Sequence, residues 1–126
     1  MQNIPQNPAV WTEIKVTDME AAKAFYAAVF AFEILDMTMG DASTTSFAYA
    51  GDYGVSAQLM LGTPAPRGSG NVIHLQIAGA LEDAITRLNK AGGTATSDIL
   101  TAPPGRFIYA EDPDGNAIGL FEPKAA

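Results

Sequence analysis

The chain repeats one pattern of residues at an offset of 61 positions. Gly54 and Gly115 are 61 positions apart, and so are Leu59 and Leu120. The order of alternating, helical and turn segments repeats at nearly the same offset, with one residue inserted at the start of the second helical segment. A unit of about 60 residues is only marginally able to bury a core by itself. The sequence therefore predicts two similar units packed together as one domain.

The first unit begins with a predicted strand and helix. Residues 10–16 (VWTEIKV) alternate apolar and polar side chains, as a half-buried strand does. Asp18 is a good N-cap for the following helical segment, because its side chain can accept an unsatisfied backbone N–H of the first turn. The apolar stripe of this helix consists of Met19, Ala22, Tyr26, Val29 and Phe30. Three β-like runs follow, at about 32–37, 43–50 and 53–61.

The second unit has the same order of segments. Residues 72–77 (VIHLQI) alternate again, and Gly92 and Gly93 are predicted to end a second helix. The stripe of that helix consists of Leu81, Ala84, Ile85, Leu88 and Ala91. Its three β-like runs lie at about 93–97, 106–111 and 116–121. Residues 112–115 (DPDG) predict a hairpin turn, and residues 51–54 (GDYG) take the equivalent place in the first unit.

Composition indicates one globular domain. Of 126 residues, 48% are hydrophobic and 17% are charged, which is enough apolar material for a core and too little charge for disorder. No apolar run approaches the roughly 20 residues that span a bilayer, and residues 1–8 lack the segments of a signal peptide. We expect a single domain over 1–126, with module 1 at about 9–62, a linker at 63–70 and module 2 at about 71–122.

Charge and missing motifs exclude several functions. The net charge of −7 argues against nucleic acid and anionic membranes as partners, because phosphate groups require a positive patch. The absence of cysteine excludes disulfides, Cys-ligated zinc and thiol nucleophiles, and favours a cytoplasmic location. The sequence has no GxGxxG, GxxxxGK[ST] or GxSxG motif, so it has neither a phosphate-binding loop nor a nucleophile elbow.

Two segments carry a resemblance to a known family. Residues 16–30 (VTDMEAAKAFYAAVF) resemble the strand-to-helix segment of the vicinal oxygen chelate superfamily of glyoxalases, bleomycin resistance proteins and dioxygenases. Residues 105–122 (GRFIYAEDPDGNAIGLFE) resemble its closing hairpin. The resemblance extends from about Val10 to Phe121. Trp11 and Glu13 match the W-x-E of small bacterial proteins related to lactoylglutathione lyase.

The resemblance implies a fold more firmly than a reaction. The implied fold is α+β, with two pseudo-symmetric βαβββ modules that form an incomplete barrel around a cleft, helices outside, and often a homodimer. Members of the superfamily isomerise, epimerise, cleave aromatic rings, transfer thiols to antibiotics or sequester drugs. Membership therefore implies a small-molecule ligand in the cleft and leaves the chemistry open.

The resemblance also implies four metal-ligand positions, one on each of four inner strands. In this chain they fall on Trp11, Gln58, Val72 and Gly119. Three of these side chains have no ligand atom, and Gln58 offers only a neutral amide oxygen. The usual divalent metal site is therefore expected to be absent, and no cofactor is expected.

A shift of two residues along two of the strands gives a different set of candidate metal ligands. Side chains two apart on a strand share a face, so Glu13 lies beside Trp11, and His74 lies beside Val72. Glu13, Gln58 and His74 would offer a carboxylate, an amide and an imidazole to Zn, Ni, Mn or Fe. Without a metal, Glu13 and His74 could form a general base, since a carboxylate raises the pKa of an imidazole and orients it. Both could equally be polar cleft-lining residues, with Glu13 paired to a neighbouring lysine.

Strand alternation separates two faces of the predicted sheets. The helix side consists of Thr12, Ile14, Val16, Ile73, Leu75 and Ile77, and the cleft side of Trp11, Glu13, Lys15, Val72, His74 and Gln76. The wall also includes Phe107 or Arg106, and Tyr109 or Ile108, depending on register. Gly119 is expected to leave extra room in the cleft. The predicted substrate-binding residues are Trp11, Glu13, Gln58, Met60, His74 and Phe121.

Three functions stay open at this point. The first is a domain that binds a small neutral or aromatic molecule, with or without transforming it, and lacks the usual metal. The second is a metal-dependent lyase, isomerase or dioxygenase of glyoxalase type that uses Glu13, Gln58 and His74. The third is a drug-sequestering resistance protein, in which a homodimer binds a cationic ligand in shared grooves.

Overall fold

The structure is a computed structural model that describes residues 2–125 apart from 41 and 53. Within these residues it has two helices and nine strands. The helices are α1 (Met19–Phe30) and α2 (Leu81–Lys90). The strands are β1 (Trp11–Val16), β2 (Ile34–Met39), β3 (Ala42–Phe47), β4 (Ser56–Leu61), β5 (Ile73–Gln76), β6 (Thr94–Ala95), β7 (Leu100–Ala102), β8 (Gly105–Glu111) and β9 (Ala117–Pro123).

The strands form two open, mixed sheets. Their orders are β1-β4-β3-β2 and β5-β9-β8-β6, and β7 also pairs with β8. In each sheet one pair is parallel, and the two parallel pairs have the same register: Glu13 pairs with Gln58, and His74 pairs with Gly119, 61 positions later in both strands. The expected α+β fold of two pseudo-symmetric βαβββ modules with an incomplete barrel and outer helices is confirmed.

Local sequence signals define α1. The side chain of Asp18 accepts a hydrogen bond from the backbone N–H of Ala21 at 3.0 Å, as the N-cap prediction requires. The helix ends at Ala31, which adopts a left-handed conformation with φ of 60°. The predicted stripe is buried or partly buried, and Phe25, which lies outside that stripe, is also buried at 3% exposure. Phe25 is buried because α1 contacts both a sheet and α2, so its apolar face is wider than one stripe.

The start of α2 is stabilised from a distant strand. Its N-cap residue, Ala80, has no side chain that can accept a hydrogen bond. Instead, the Glu122 carboxylate on β9 accepts the backbone N–H of Leu81 at 2.7 Å. Gly92 ends the helix with a φ of +95°, in agreement with the predicted stop.

Several predicted strand boundaries differ from those of the structure. Strand β3 ends at Phe47 rather than at residue 50, and beyond it the Tyr49 ring lies against Gly54. Strand β4 begins at Ser56, and the predicted start at residue 53 lies outside the described residues. The run at 93–97 contains only the short β6, and β7 is absent from the predicted strands. The Thr96 N–H still donates to the Tyr109 carbonyl at 2.9 Å, but residues 97–99 leave the ladder, and the Ser97 hydroxyl accepts the Tyr109 N–H in place of a backbone carbonyl.

The two modules share one hydrophobic core and a polar contact at one end. The hairpin between β8 and β9 carries Asp112, whose buried carboxylate accepts the Tyr26 hydroxyl at 2.8 Å. Asp114 of the same hairpin accepts the Thr17 hydroxyl at 2.6 Å. The amide of Asn116 donates to the backbone carbonyl of Lys15 at 2.9 Å. These bonds hold the end of β1 next to the start of β9, where the candidate site lies.

None of the described helices is long and apolar enough to cross a membrane.

Candidate functional site

The face of the two sheets opposite the helices is called the cleft face here. On β1, Trp11, Glu13 and Lys15 are exposed on this face, whereas Ile14 and Val16 are buried toward the helices. The same alternation holds on β5. The predicted assignment of the two faces is therefore confirmed, and it brings polar residues of both modules to the same side of the protein.

Strand register defines which cleft-face residues are neighbours. Glu13, not Trp11, lies beside Gln58, because Trp11 pairs with Ser56. In the second sheet His74 lies beside Gly119. The four positions that the resemblance implies therefore do not form two cross-strand pairs. The set that is shifted by two residues forms both pairs, Glu13 with Gln58 and His74 with Gly119.

The His74 ring occupies the space above Gly119. A Cβ built at residue 119 would overlap the Nδ1 atom of His74. The imidazole also meets Phe107 and Tyr109 edge to face, with ring centroids 5.4 and 5.5 Å away. The expectation that Gly119 leaves extra room in the cleft is thus wrong, because the neighbouring imidazole fills that room.

Glu13 and His74 line the same cavity but do not bond. The cavity has a volume of about 730 Å³ and lies between the edge strands β1 and β5. Within the described residues the Glu13 carboxylate has no hydrogen bond or ion pair, either with His74 or with Lys15. The stem of Lys15 runs instead toward Gly62, where a Cβ would be 2.9 Å from the lysine Cδ. The arrangement does not contain a hydrogen-bonded carboxylate–imidazole pair, which was one of the alternatives that the sequence left open.

The side chain of Gln58, like that of Glu13, has a hydrogen-bond acceptor that no described residue donates to. Its Oε1 atom is buried and has no hydrogen-bond partner among the described residues. The same is true of the Thr44 hydroxyl, on the neighbouring strand β3. Alternation from Thr45, which pairs with Leu59 toward the core, places Thr44 and Ser46 on the cleft face. Both are missing from the predicted cleft-face residues, although the same alternation in the sequence would have identified them. Neither lines one of the two cavities beside His74, and Thr44 is almost fully buried.

Register also settles the far wall of the cleft. Phe107 and Tyr109 face the cleft, with ring centroids 5.6 Å apart. Ile108 is buried on the opposite face, where Arg106 bonds to carboxylates beside α2. Phe121 pairs with Phe107, and its ring lies over Gly105, whose Cβ would be 3.0 Å from the Phe121 Cζ. On the first sheet, Met60 lies beside Lys15.

A second cavity adjoins the first. It has a volume of about 650 Å³, and its lining includes Phe30, Phe32, Phe47 and Tyr49. The two cavities share four lining residues, Val55, Ser56, His74 and Leu75. The cleft is therefore polar near Glu13 and aromatic near Tyr49, with His74 at the junction.

The residues present do not fit a resident divalent metal. Such sites usually have three or four strong side-chain ligands. Here the four positions offer one carboxylate, one imidazole, one neutral amide and a glycine, and the imidazole is packed against that glycine. Within the described residues, no group of three or more His, Cys, Asp or Glu side chains could hold a metal ion.

Comparisons with a family model and with a curated relative indicate the family of this chain. The sequence model of the Glyoxalase/Bleomycin resistance protein/Dioxygenase superfamily matches residues 9–120. CFP32 of Mycobacterium bovis is 30% identical over 117 residues, which is 89% of this chain. The chain spans only 44% of the length of that relative.

Solved structures share the fold. The fosfomycin resistance protein FosX from Listeria monocytogenes superposes with a TM-score of 0.68 at 21% identity, over 98% of this chain and 95% of that one. A glyoxalase/bleomycin resistance protein from Streptomyces sp. CB03234 superposes with a TM-score of 0.65 at 27% identity, over 90% of this chain and 98% of that one. In both comparisons the shared region includes nearly all of both modules.

Proposed function

We propose that this chain, which belongs to the Glyoxalase/Bleomycin resistance protein/Dioxygenase superfamily, binds a small organic molecule in its cleft without a resident divalent metal. The observation that carries the proposal is the packing of His74 over Gly119. That packing leaves one carboxylate and one amide oxygen free at the four positions, too few strong ligands to compete with water for a divalent ion. The adjoining cavities of about 730 and 650 Å³ have the size and the mixed polarity of small-molecule sites.

One observation favours the rival function, a metal-dependent lyase, isomerase or dioxygenase. The buried Oε1 of Gln58 has no partner among the described residues, and Gln58 is the cross-strand neighbour of Glu13, so a cation would find one oxygen-bearing side chain on each strand. Such a site would also require the His74 ring to leave Gly119, Phe107 and Tyr109. The rival function therefore needs a rearrangement that the proposed function does not.

Elemental analysis separates the two functions. The protein is purified without added metal or chelator, and Zn, Ni, Mn and Fe are measured per chain. We expect substoichiometric metal that does not change in Glu13→Ala or His74→Ala, with Glu33→Ala as a matched surface control. A stoichiometric ion that both cleft variants lose, and the control retains, would overturn the proposal.

Small-molecule binding needs its own measurement. A thermal-shift screen of neutral, aromatic, acidic and basic compounds should give hits whose effect is weakened by substitutions in the cleft. Cationic glycopeptide antibiotics belong in the screen, because saturable binding of these would favour drug sequestration. A screen without any cleft-dependent hit would contradict the proposed function.

We also propose a homodimer and a cytoplasmic location. The side chain of Trp11 is 59% exposed on the cleft face of the edge strand β1. Aromatic side chains are enriched in the surfaces that protein partners cover. Light scattering coupled to gel filtration should give twice the mass of one chain, and Trp11→Ser should shift it toward the monomer.

A further inference from the structure

Among the described residues, the loop between β3 and β4 lacks the bonds to the other module that fix its counterpart, the hairpin between β8 and β9. That hairpin bonds to module 1 through Asp112 and Asn116. The equivalent positions, 61 residues earlier, are Gly51 and Val55, whose side chains cannot form such bonds. No hydrogen bond or ion pair joins the described residues of 48–55 to module 2. The cavity of about 650 Å³, called the aromatic cavity here, separates this loop from module 2.

The side of the aromatic cavity opposite the loop is fixed. The Nε atom of Arg87 donates to the Val29 carbonyl at 3.0 Å, and its Nη2 atom donates to the Ala78 carbonyl at 3.1 Å. These bonds hold the end of α1 next to Ala78, which lines the cavity. On the loop side, the half-exposed Tyr49 packs its ring against Gly54 of the same loop. The cavity therefore lies between a fixed wall and a loop that, over its described residues, makes its hydrogen bonds within its own module.

The base of the aromatic cavity is apolar and recessed. Phe30, Phe32 and Phe47 meet there, with centroid distances of 5.1 Å between Phe30 and Phe32 and 4.8 Å between Phe32 and Phe47. Phe30 and Phe47 are 2% and 3% exposed, so the base lies below the protein surface. No Asp, Glu, Lys or Arg is among the described residues that line the cavity. Such a lining favours an aryl or alkyl group, whose burial removes apolar area from water, over an ionised group, which would lose water without gaining a partner.

The polar side chains of this lining do not change the preference for an uncharged group. The Ser56 hydroxyl already donates to the Phe47 carbonyl at 2.6 Å. The side chains of Tyr49, His74 and Gln76 are exposed, so they lie at the margin of the cavity rather than at its base. A hydroxyl or carbonyl at the outer end of a ligand would meet these side chains or water.

We infer that the aromatic cavity binds an uncharged aryl or alkyl group, and that this group joins the loop between β3 and β4 to module 2. The inference rests on the proposed small-molecule function and adds a subsite, the chemical class of its ligand and an effect on the loop. A small molecule fits this cavity better than a second copy of the chain does, because the base is recessed between the end of α1 and Ala78.

Three probes that share one ring system and differ in charge test the ligand class. 2-Naphthylmethanol is neutral, 2-naphthylmethylamine is cationic and 2-naphthoate is anionic. Binding to the full chain is measured by calorimetry at about 0.15 M salt, which screens the net charge of the protein. The neutral probe should bind at least about tenfold more tightly than either ion, because no described lining residue neutralises a buried charge.

Two variants test whether the neutral probe binds in the aromatic cavity. Ala78 is exposed and does not line the cavity that contains Glu13, so Ala78→Trp fills the aromatic cavity alone. It should weaken the binding of 2-naphthylmethanol at least about tenfold, whereas Ala28→Trp, on the exposed side of α1, should not. Tyr49→Ser should weaken it roughly threefold or more, whereas Leu61→Ser, which removes an exposed apolar side chain outside both cavities, should not. Thermal unfolding of each variant checks that the fold is retained.

Hydrogen exchange tests the effect on the loop. Bound 2-naphthylmethanol should slow amide exchange in residues 48–55, because the probe joins them to module 2. The hairpin at residues 112–116 is already bonded to module 1 and is the internal control, in which exchange should not change. Ala78→Trp should abolish the protection of the loop. Exchange in residues 48–55 that stays the same with saturating probe would overturn this part of the inference.

The outcomes separate this inference from the proposed function. Equal binding of the three probes, or binding of the neutral probe that Ala78→Trp and Tyr49→Ser both leave unchanged, overturns the inference and leaves a small-molecule cleft. An affinity for the neutral probe that falls as the protein is concentrated would show that a second copy of the chain covers the cavity, and would overturn the inference too. If no probe binds, the inference is also overturned, but the proposed function fails only when the broad thermal-shift screen is negative as well.

Discussion

The His74 imidazole lies over Gly119, where the side chain of any other residue at position 119 would be. The two residues are cross-strand neighbours in the parallel pair β5–β9. In the first sheet the equivalent neighbours are Glu13 and Gln58, which both have side chains. The pseudo-symmetry of the backbone is thus broken at this pair, and one module holds two unused oxygen acceptors where the other holds a packed ring.

We predict that Gly119→Ala destabilises the protein by about 1 to 3 kcal/mol, the usual cost of overpacking. The added methyl group overlaps the imidazole, so the ring must leave its contacts with Phe107 and Tyr109. Urea unfolding gives the free energies. In the His74→Ala background the same substitution should be neutral or stabilising, because alanine is less costly than glycine in a strand. An equal loss in both backgrounds would contradict the packing described.

Much of the fold follows from local and repeated signals. The capping of α1 by Asp18 depends on residues three positions apart, and the cleft and helix faces follow from simple alternation. The 61-position offset by itself relates Glu13 to His74 and Gln58 to Gly119. These features are predictable because each is determined within one strand, one helix or one repeat.

The features that sequence patterns do not predict depend on contacts distant in the chain. The cap of α2 comes from Glu122, which is 41 positions from Leu81. Strand β7 has no alternation of its own and exists because β8 offers it a partner edge. The orientation of the His74 ring depends on the absence of a side chain across the sheet. Such side-chain positions are set by tertiary packing, so periodicity and motif spacing do not reveal them.

Arg106 should control how stability changes in acid. It donates to Glu82 and Glu122, and these hydrogen bonds lower the pKa of Glu82 from 4.5 to about 2 and lower the pKa of Glu122 as well. A carboxyl group whose pKa is lowered on folding stabilises the folded chain at pH values above its ordinary, unfolded pKa. This stabilisation is lost as the pH falls through the pKa of the folded state. The melting temperature should therefore fall from about pH 5 toward pH 2, and Arg106→Gln should make this fall shallower.

A charge-matched variant controls this experiment. Arg67→Gln also removes one positive charge, but from a different ion pair, that with Glu111. It should therefore leave the contribution of Glu82 to the pH dependence of stability in place. High salt should weaken the effect of Arg106, since its partners lie at the surface. Identical acid profiles for wild type and Arg106→Gln would show that this cluster does not contribute.

The buried bond between Tyr26 and Asp112 should couple the two modules. Tyr26→Phe removes the hydroxyl that donates to Asp112 at 2.8 Å and leaves that carboxylate oxygen with the Asn116 amide as its remaining donor. We expect a loss of about 1 to 3 kcal/mol in the free energy of unfolding. Tyr109→Phe, which removes an exposed hydroxyl, should stay within about 0.5 kcal/mol of wild type.

The pH dependence of this loss has a definite sign. Burial, followed by the nearby Asp112 carboxylate, raises the pKa of Tyr26 well above its ordinary value of 10.0. In the unfolded chain the phenol ionises above about pH 10, whereas in the folded chain it stays protonated, so the wild type loses stability as the pH rises past that value. Phenylalanine cannot ionise, so the stability gap between wild type and Tyr26→Phe should narrow in alkali. Urea unfolding at neutral pH and at increasing pH above 10 measures this difference in the free energy of unfolding. A gap that widens with pH would contradict the buried bond between Tyr26 and Asp112.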